Sequence, residues 1–583
     1  MGAISGGAIL ARMLREEGVR VVFGIVDGTY LGLLAGLRDE GIRLITPRHE
    51  TSAVHMAGAY ARLTGKLGVC MASNGPGVAN ALPGVAVENA EGNRVLLITS
   101  TRRVGISYPD RGGTYQYFNQ VGTIRAMSKW SGTAQSFARI PELMRRALRL
   151  SYRGRPGVVH LDVPENLING KEKDAPAFWP TGSYRLQHAI TAPTEQVGAA
   201  ADMLLSAKRP MIHAGSGIIH GRAFEELREV AELLGAPVTT SWAARGVLSE
   251  DSPLAIPMIH IDLNNRVRNE SDVCLVIGSR LGETDWWGKA PYWAPPSKLR
   301  LIQVDLDEEV LGMNRPTDLA IFSDAAVFLR ALATELKRRG KSSGQEPPAH
   351  VRNYAKAAAT ARKKLDADLK DRSEPMHPAH VSTACREFLP DDAIVVMDGG
   401  NTAVWANFYH EVRIPNTVLS TFKFGMLGAG VAQALGAAAA FPDRTVYCLI
   451  GDGAFGFHPQ EVETAVRNNM KVIFLVYCDR QWGMVKMTQQ FAFRPIKTMI
   501  KKSLDPGETI NADLGEIRFD LLAQSMGALG ERVSNPDELP AAIERARKAT
   551  KTTVIHVDVN PVRHMWAPGL LAFKEMHQEP RGK

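Results

Sequence analysis

Two acids stand at matched places in this chain, Asp452 inside Gly451-Asp452-Gly453 and Asp479 in Cys478-Asp479. Each closes an apolar run: Thr445 to Ile450 stops on the glycine–aspartate–glycine triplet, and Val472 to Tyr477 stops just before the second acid. Carboxylates flanked by glycines, which let backbone approach closely, suit a hard divalent cation that is itself holding a diphosphate. A third acid, Glu50 of Pro47-Arg48-His49-Glu50, lies where an apolar strand gives way to a helix rich in small residues. Taken alone it is a favourable partner for the positive end of that helix.

The elements that must position these groups alternate along the chain. The two runs read as buried strands joined by an amphipathic helix extending to Asn469, a βαβ unit whose right-handed crossover brings both acids to one edge of a parallel sheet. Similar alternation fills residues 1–170, with strands Val21 to Ile25 and Arg43 to Thr46. After a linker over 171–193, a second α/β domain is expected over 194–337, with strands Pro210 to Ala214, Pro237 to Thr240, Val273 to Ile277 and Leu301 to Val304. A connector and charged helix occupy 338–374, a third domain 375–560, and a tail 561–583. The fold class is therefore α/β, with three doubly wound parallel-sheet domains. The glycine-rich turn His213-Ala214-Gly215-Ser216-Gly217 is either a plain tight turn or a phosphate cradle. Thr488 to Ile510 is polar and reads as an irregular, mobile loop, and the aromatic tail reads as an active-site lid or as surface packing.

The triplet, the 24 residues after it and Cys478-Asp479 resemble the thiamine diphosphate signature, in which a GDG triplet is followed by an Asn-Asn pair. Further blocks carry the resemblance to the acetolactate synthase, 2-hydroxyacyl-CoA lyase and oxalyl-CoA decarboxylase superfamily. They are Ser73-Asn74-Gly75-Pro76-Gly77-Val78-Ala79-Asn80, Tyr115-Gln116-Tyr117-Phe118-Asn119-Gln120, and Gly425-Met426-Leu427-Gly428-Ala429-Gly430. What the resemblance implies is a pyrimidine-binding first domain, a central domain and a diphosphate-binding third domain. Asp452, Asp479 and the backbone carbonyl of Gln481 would ligate Mg²⁺, with Asp479 adding a negative charge where the signature has Asn. Glu50 would hydrogen-bond the aminopyrimidine, a task that needs a carboxyl in a dry pocket. Gln116 would be the polar group beside the reacting carbonyl, so Glu50 and Gln116 are the catalytic candidates. Gly75, Pro76, Asn80, Gly400, Asn401, Thr402, Gly425, Gly451, Gly453, Ala454 and Trp482 would line the cofactor. Leu427 would wedge beneath it or simply pack in the core. The central domain binds FAD in some members, ADP or coenzyme A in others, and nothing in many.

The rest of the composition fits such an enzyme and excludes other classes. At 583 residues, 45% hydrophobic and 22% charged, the chain is globular, and its net charge of +8 is spread without basic runs interleaved with aromatics, against nucleic-acid binding. Five scattered cysteines without metal spacing fit buried thiols in a reducing cytoplasm. No apolar run is long enough to cross a bilayer, and no charged leader with a cleavage site precedes the first helix. The substrate expected is small, a 2-keto acid to be joined or decarboxylated, or a 2-hydroxyacyl-CoA cleaved to formyl-CoA. The stretch Tyr108 to Gln116 lacks the histidines of pyruvate decarboxylase-like enzymes. Because the cofactor of this family lies between the first domain of one subunit and the third of another, a homodimer or homotetramer is implied. A cofactor-binding homologue without catalysis is the reading of another class.

Overall fold

The computed structural model describes residues 3–107 and 112–576. Residues 108–111 of the histidine-free stretch and 577–583 of the tail lie outside the described residues.

Three sheets carry the chain, and every strand pairing within them is parallel. The first runs in space as Arg43–Ile45, Val21–Gly24, Gly68–Ala72, Val95–Thr101, Val158–Pro164, Trp130–Thr133. The third runs as Val418–Leu419, Ile394–Asp398, Val446–Gly451, Val472–Cys478, Thr553–Asp558, Leu529–Val533. Counted in chain order within each sheet, both read 2-1-3-4-6-5, and the central five-stranded sheet, from Val238–Thr240 to Leu319–Phe322, reads 2-1-3-4-5. In each, the order reverses between the first and third strands, the place where open α/β sheets leave a crevice at their carboxyl ends. Strands such as Val472–Cys478 are buried throughout, as continuous apolar runs covered by helices on both faces must be.

The first and third domains share one apolar core. Helix Glu50–Thr64 lies along helix Ala429–Ala440, and Val54, Met56 and Ala57 of the first share one buried cluster with Val431 and Leu435 of the second. Small residues make this approach possible: a Cβ at Gly436 would collide with the Met56 carbonyl oxygen. At the helix start, the Arg48 N–H donates to the Glu461 carboxylate at 3.1 Å, and Arg467 donates to the Thr46 carbonyl at 2.7 Å. The position of Glu50 is thereby tied to the third domain of its own chain.

Two local expectations are corrected. The single helix to Asn469 is broken into Asp452–Phe455 and Glu461–Arg467, because Pro459 lacks the N–H a continuous helix needs and Gly456 precedes it. The region read as a loop over 488–510 is largely helical, Gly483–Phe493 and Pro495–Lys501.

The first sheet also holds a buried carboxyl that makes a pH prediction. Asp162 accepts from Gln120 Nε2 at 2.6 Å and Thr99 Oγ1 at 2.7 Å, yet burial pushes it up to about 6. A carboxyl raised above its unfolded value contributes stability that is complete below pH 4 and is lost as pH rises through about 6. Asp162→Asn should therefore raise stability at pH 7.5 by on the order of 2 kcal/mol and leave it unchanged near pH 4. Thermal unfolding of both proteins at the two pH values checks this, and equal melting at pH 7.5 contradicts it.

Candidate active site

At the carboxyl edge of the third sheet, the ends of three neighbouring strands converge. Ile394–Asp398 delivers Asp398, whose Oδ2 accepts from the Gly430 N–H at 2.7 Å and which burial pushes up to about 6. The helix Gly400–Tyr409 starts immediately after it, presenting Gly400, Asn401 and Thr402 in its first turn. Val446–Gly451 delivers Asp452, and Val472–Cys478 delivers Asp479. The turn after Asp479 reaches back: the Arg480 N–H donates to Asp452 Oδ2 at 2.7 Å, so the acids share one pocket. Burial, with Asp479 beside it, pushes the Asp452 carboxyl up to about 6. Two carboxylates so placed call for a positive partner.

Around them the chain is unusually tight. A Cβ at Gly453 would meet the Trp482 ring at 2.6 Å, one at Gly451 would meet Thr402 Oγ1 at 2.9 Å, and Ala454 lies behind Gly399. Gln481 donates from Nε2 to Asp479 Oδ2 at 3.0 Å and to the Pro561 carbonyl at 2.8 Å, which leaves its side chain engaged within the protein. The Asn401 Oδ1 atom is buried without a hydrogen-bond partner. Among the described residues no group of three or more His, Cys, Asp or Glu gathers as a metal cage. Two carboxylates with an orphaned polar atom beside them fit instead a cation that shares its shell with a bound phosphate group. Leu427 is half-buried against the shared core, and Gly425 is exposed at a left-handed φ of 69°.

A second group forms in the first domain. Glu50, 8% exposed, opens its helix and accepts from Asn80 Nδ2 at 3.1 Å. The Thr51 hydroxyl donates to the Asn80 carbonyl, fixing the same pair of helices. Pro76 is the first residue of helix Pro76–Glu91, and Gly75 precedes it at φ 65°, where a Cβ would lie 2.5 Å from the Gln116 carbonyl oxygen. Only glycine tolerates both that φ and that approach. Gln116 itself has φ 53°, an exposed side chain and a carbonyl that accepts from Asn74 Nδ2 at 3.0 Å. The structure thus brings together Glu50, Gly75, Pro76, Asn80 and Gln116 on one side. On the other it gathers Gly400, Asn401, Thr402, Gly451, Asp452, Gly453, Ala454, Asp479, Gln481 and Trp482. Among the described residues no hydrogen bond or ion pair of one chain joins the two groups.

Residues that sequence reading passed over complete both. Gln120 accepts from the Gly75 N–H at 3.4 Å while donating to Asp162 and the Ser100 carbonyl, clamping the turn beside Glu50. His564, from the tail, contacts both Asp479 and Thr402. In the central domain, the Gly215 and Gly217 amides donate to the carbonyls of Ile277 and Gly278, at 2.9 and 3.0 Å, so of the two readings of that turn the plain tight one holds.

Residues 4–123 match the thiamine pyrophosphate enzyme N-terminal TPP-binding domain, 197–332 the central domain, and 398–557 the C-terminal TPP-binding domain. The chain belongs to the thiamine pyrophosphate enzymes of the acetolactate synthase superfamily, which make or break carbon–carbon bonds. Among its relatives is a probable acetolactate synthase large subunit of Methanococcus aeolicus, 27% identical over 96% of this chain and 92% of the relative. The acetolactate synthase large subunit IlvG of Mycobacterium tuberculosis is 29% identical over 95% and 96%. The isozyme 3 large subunit of Escherichia coli is 27% identical over 96% and 95%.

Proposed function

We propose that the protein is an acetolactate synthase-like carboligase or decarboxylase of 2-keto acids, working with Mg²⁺-anchored thiamine diphosphate. The observation that supports it most is the juxtaposition of Asp452 and Asp479 at the crevice of the third sheet, with Asn401 Oδ1 unpaired beside them. In this reading Asp452, Asp479 and the Gln481 carbonyl would hold the cation, and the backbone N–H groups of Asn401 and Thr402, in the first turn of their helix, would donate to the diphosphate. When bound, thiamine diphosphate would supply a nucleophilic ring carbon and, in the positive thiazolium around it, a sink for the electrons of the bond that breaks. Glu50, itself buried, would share a proton with a nitrogen of the aminopyrimidine. Leu427 would be the apolar residue beneath the cofactor, and Gln116 the polar group beside the substrate carbonyl. In the family the chain resembles, the cofactor lies between the first domain of one subunit and the third of another, so a complete site would take Glu50 from one copy and the Asp452–Asp479 pair from a second.

The end-to-end similarity to acetolactate synthases favours a keto acid over an acyl-CoA. Product analysis decides: pyruvate with thiamine diphosphate and MgCl₂ should give acetolactate, whereas formyl-CoA from a 2-hydroxyacyl-CoA, with no product from pyruvate, would overturn the substrate assignment.

The central domain is proposed to hold a nucleotide. A cavity of about 1140 Å³ opens where the three domains meet, at the strand-order reversal of the central sheet. Arg155, Arg280 and Lys423 line it, together with Asp305, which burial pushes up to about 6. Cations for phosphates and an acid for ribose hydroxyls suit FAD, ADP or the ADP moiety of coenzyme A. Chromatography of the supernatant from heat-denatured purified protein should release one of these compounds; a supernatant free of all three, with no binding of any on titration, contradicts it.

A further inference from the structure

The Asp that replaces the signature's neutral Asn has a partner, and that partner comes from the far end of the chain. His564 Nδ1 lies 2.7 Å from Asp479 Oδ2, and both side chains are almost fully buried, at 4% and 2% exposure. Its other ring nitrogen, Nε2, lies 3.1 Å from Thr402 Oγ1. A neutral imidazole satisfies both contacts by donating from Nδ1 and accepting the threonine hydroxyl at Nε2.

The ring is not free to choose another orientation. Its short helix, Pro561–Met565, starts with Asn560 Oδ1 accepting from the Val562 and Arg563 N–H groups at 3.1 and 3.0 Å. The His564 carbonyl accepts from Trp405 Nε1 at 2.8 Å, and its ring stacks on Tyr477 with centroids 5.7 Å apart. Gln481 ties the same segment down by donating to the Pro561 carbonyl. On the carboxylate, Oδ2 is therefore occupied by His564 and Gln481, while among the described residues Oδ1 has a single hydrogen bond, from the Gln481 N–H at 3.3 Å. Oδ1 is the oxygen with lone pairs to spare.

We propose that His564 is a positioning residue that orients Asp479 as a cation ligand, so that the segment 560–566 completes the diphosphate anchor. The proposal rests on the cofactor reading above. An Asn at this place needs no such partner, because it brings no charge to hold and no choice between equivalent oxygens; an Asp beside Asp452 needs both settled. Hydrogen bonds to metal-ligating side chains are worth about 10–100-fold in affinity elsewhere.

The test is calorimetric titration of thiamine diphosphate into the full chain in MgCl₂, and of MgCl₂ followed by Trp fluorescence, with turnover not needed for either. His564→Gln keeps an amide near Nε2 but none near Nδ1, and should weaken both affinities by about tenfold or more. His564→Asn places its amide near Nδ1 and should stay within about threefold of wild type. In an Asp479→Asn background the His564→Gln change should cost less than about twofold. Wild-type affinity in His564→Gln, or an equal loss in both backgrounds, would overturn the proposal. Failure of the wild-type protein to bind thiamine diphosphate at all would instead remove the cofactor reading beneath it.

Discussion

Glu50→Gln yields a protein with wild-type thermal unfolding and, with thiamine diphosphate and Mg²⁺ supplied, no more than about a hundredth of the wild-type turnover, the scale of a lost general acid–base group. The replacement is nearly isosteric, so the Asn80 contact at 3.1 Å and the tight packing of Gly77, whose Cβ would lie 3.2 Å from Glu50 Oε1, both have room to persist. What it loses is the exchangeable proton. An amide can hydrogen-bond a ring nitrogen but cannot pass a proton to and fro, and Glu50 is itself buried, at 8% exposure. Steady-state kinetics on purified protein checks this, and a residual rate above about a tenth of wild type removes Glu50 from the proton-transfer role.

The second large effect separates the two halves of the site. Asp452→Ala should weaken thiamine diphosphate binding in MgCl₂ by at least about a hundredfold, the upper end of what outer-shell changes cost, and abolish turnover at ordinary cofactor concentrations. Mixed with Glu50→Gln subunits under conditions that exchange protomers, it should regain activity. If each site takes Glu50 from one copy and Asp452 from another, a hybrid dimer carries one doubly defective site and one intact site, and random mixing restores about a quarter of wild-type activity. If one chain supplied both residues, every site in every hybrid would stay defective. An inactive mixture, with exchange confirmed by native mass spectrometry, rules out the shared site.

Much of this is legible in the sequence because the chemistry sits at strand ends. Apolar runs of Val, Ile and Leu closing on Asp452 and Asp479 can hardly be anything but buried strands of a parallel sheet, and parallel strands put their final residues on one edge. The same logic places Glu50 after Arg43–Ile45. Where the sequence misleads, the local signal is inverted or absent. Helices Gly483–Phe493 and Pro495–Lys501 bury the polar Gln490 and Thr498 while exposing Ile496 and Ile500 at 77% and 75%, so their pattern resembles no ordinary amphipathic helix. Pro459 is a visible helix breaker that the periodicity around it masks. His564 carries no local motif: it reaches Asp479 from 85 residues away, and only the order of the last strands brings it there. Gln120 likewise looks like one polar residue among several until Asp162, Ser100 and Gly75 surround it.

A crystal structure of the protein with thiamine diphosphate and MgCl₂ decides whether these residues meet the cofactor. A cation should lie between Asp452 and Asp479, bound to the diphosphate, with the aminopyrimidine against a Glu50 carboxyl contributed by a second copy. Diphosphate density away from those two aspartates, or a Glu50 carboxyl that meets no cofactor atom, would contradict it.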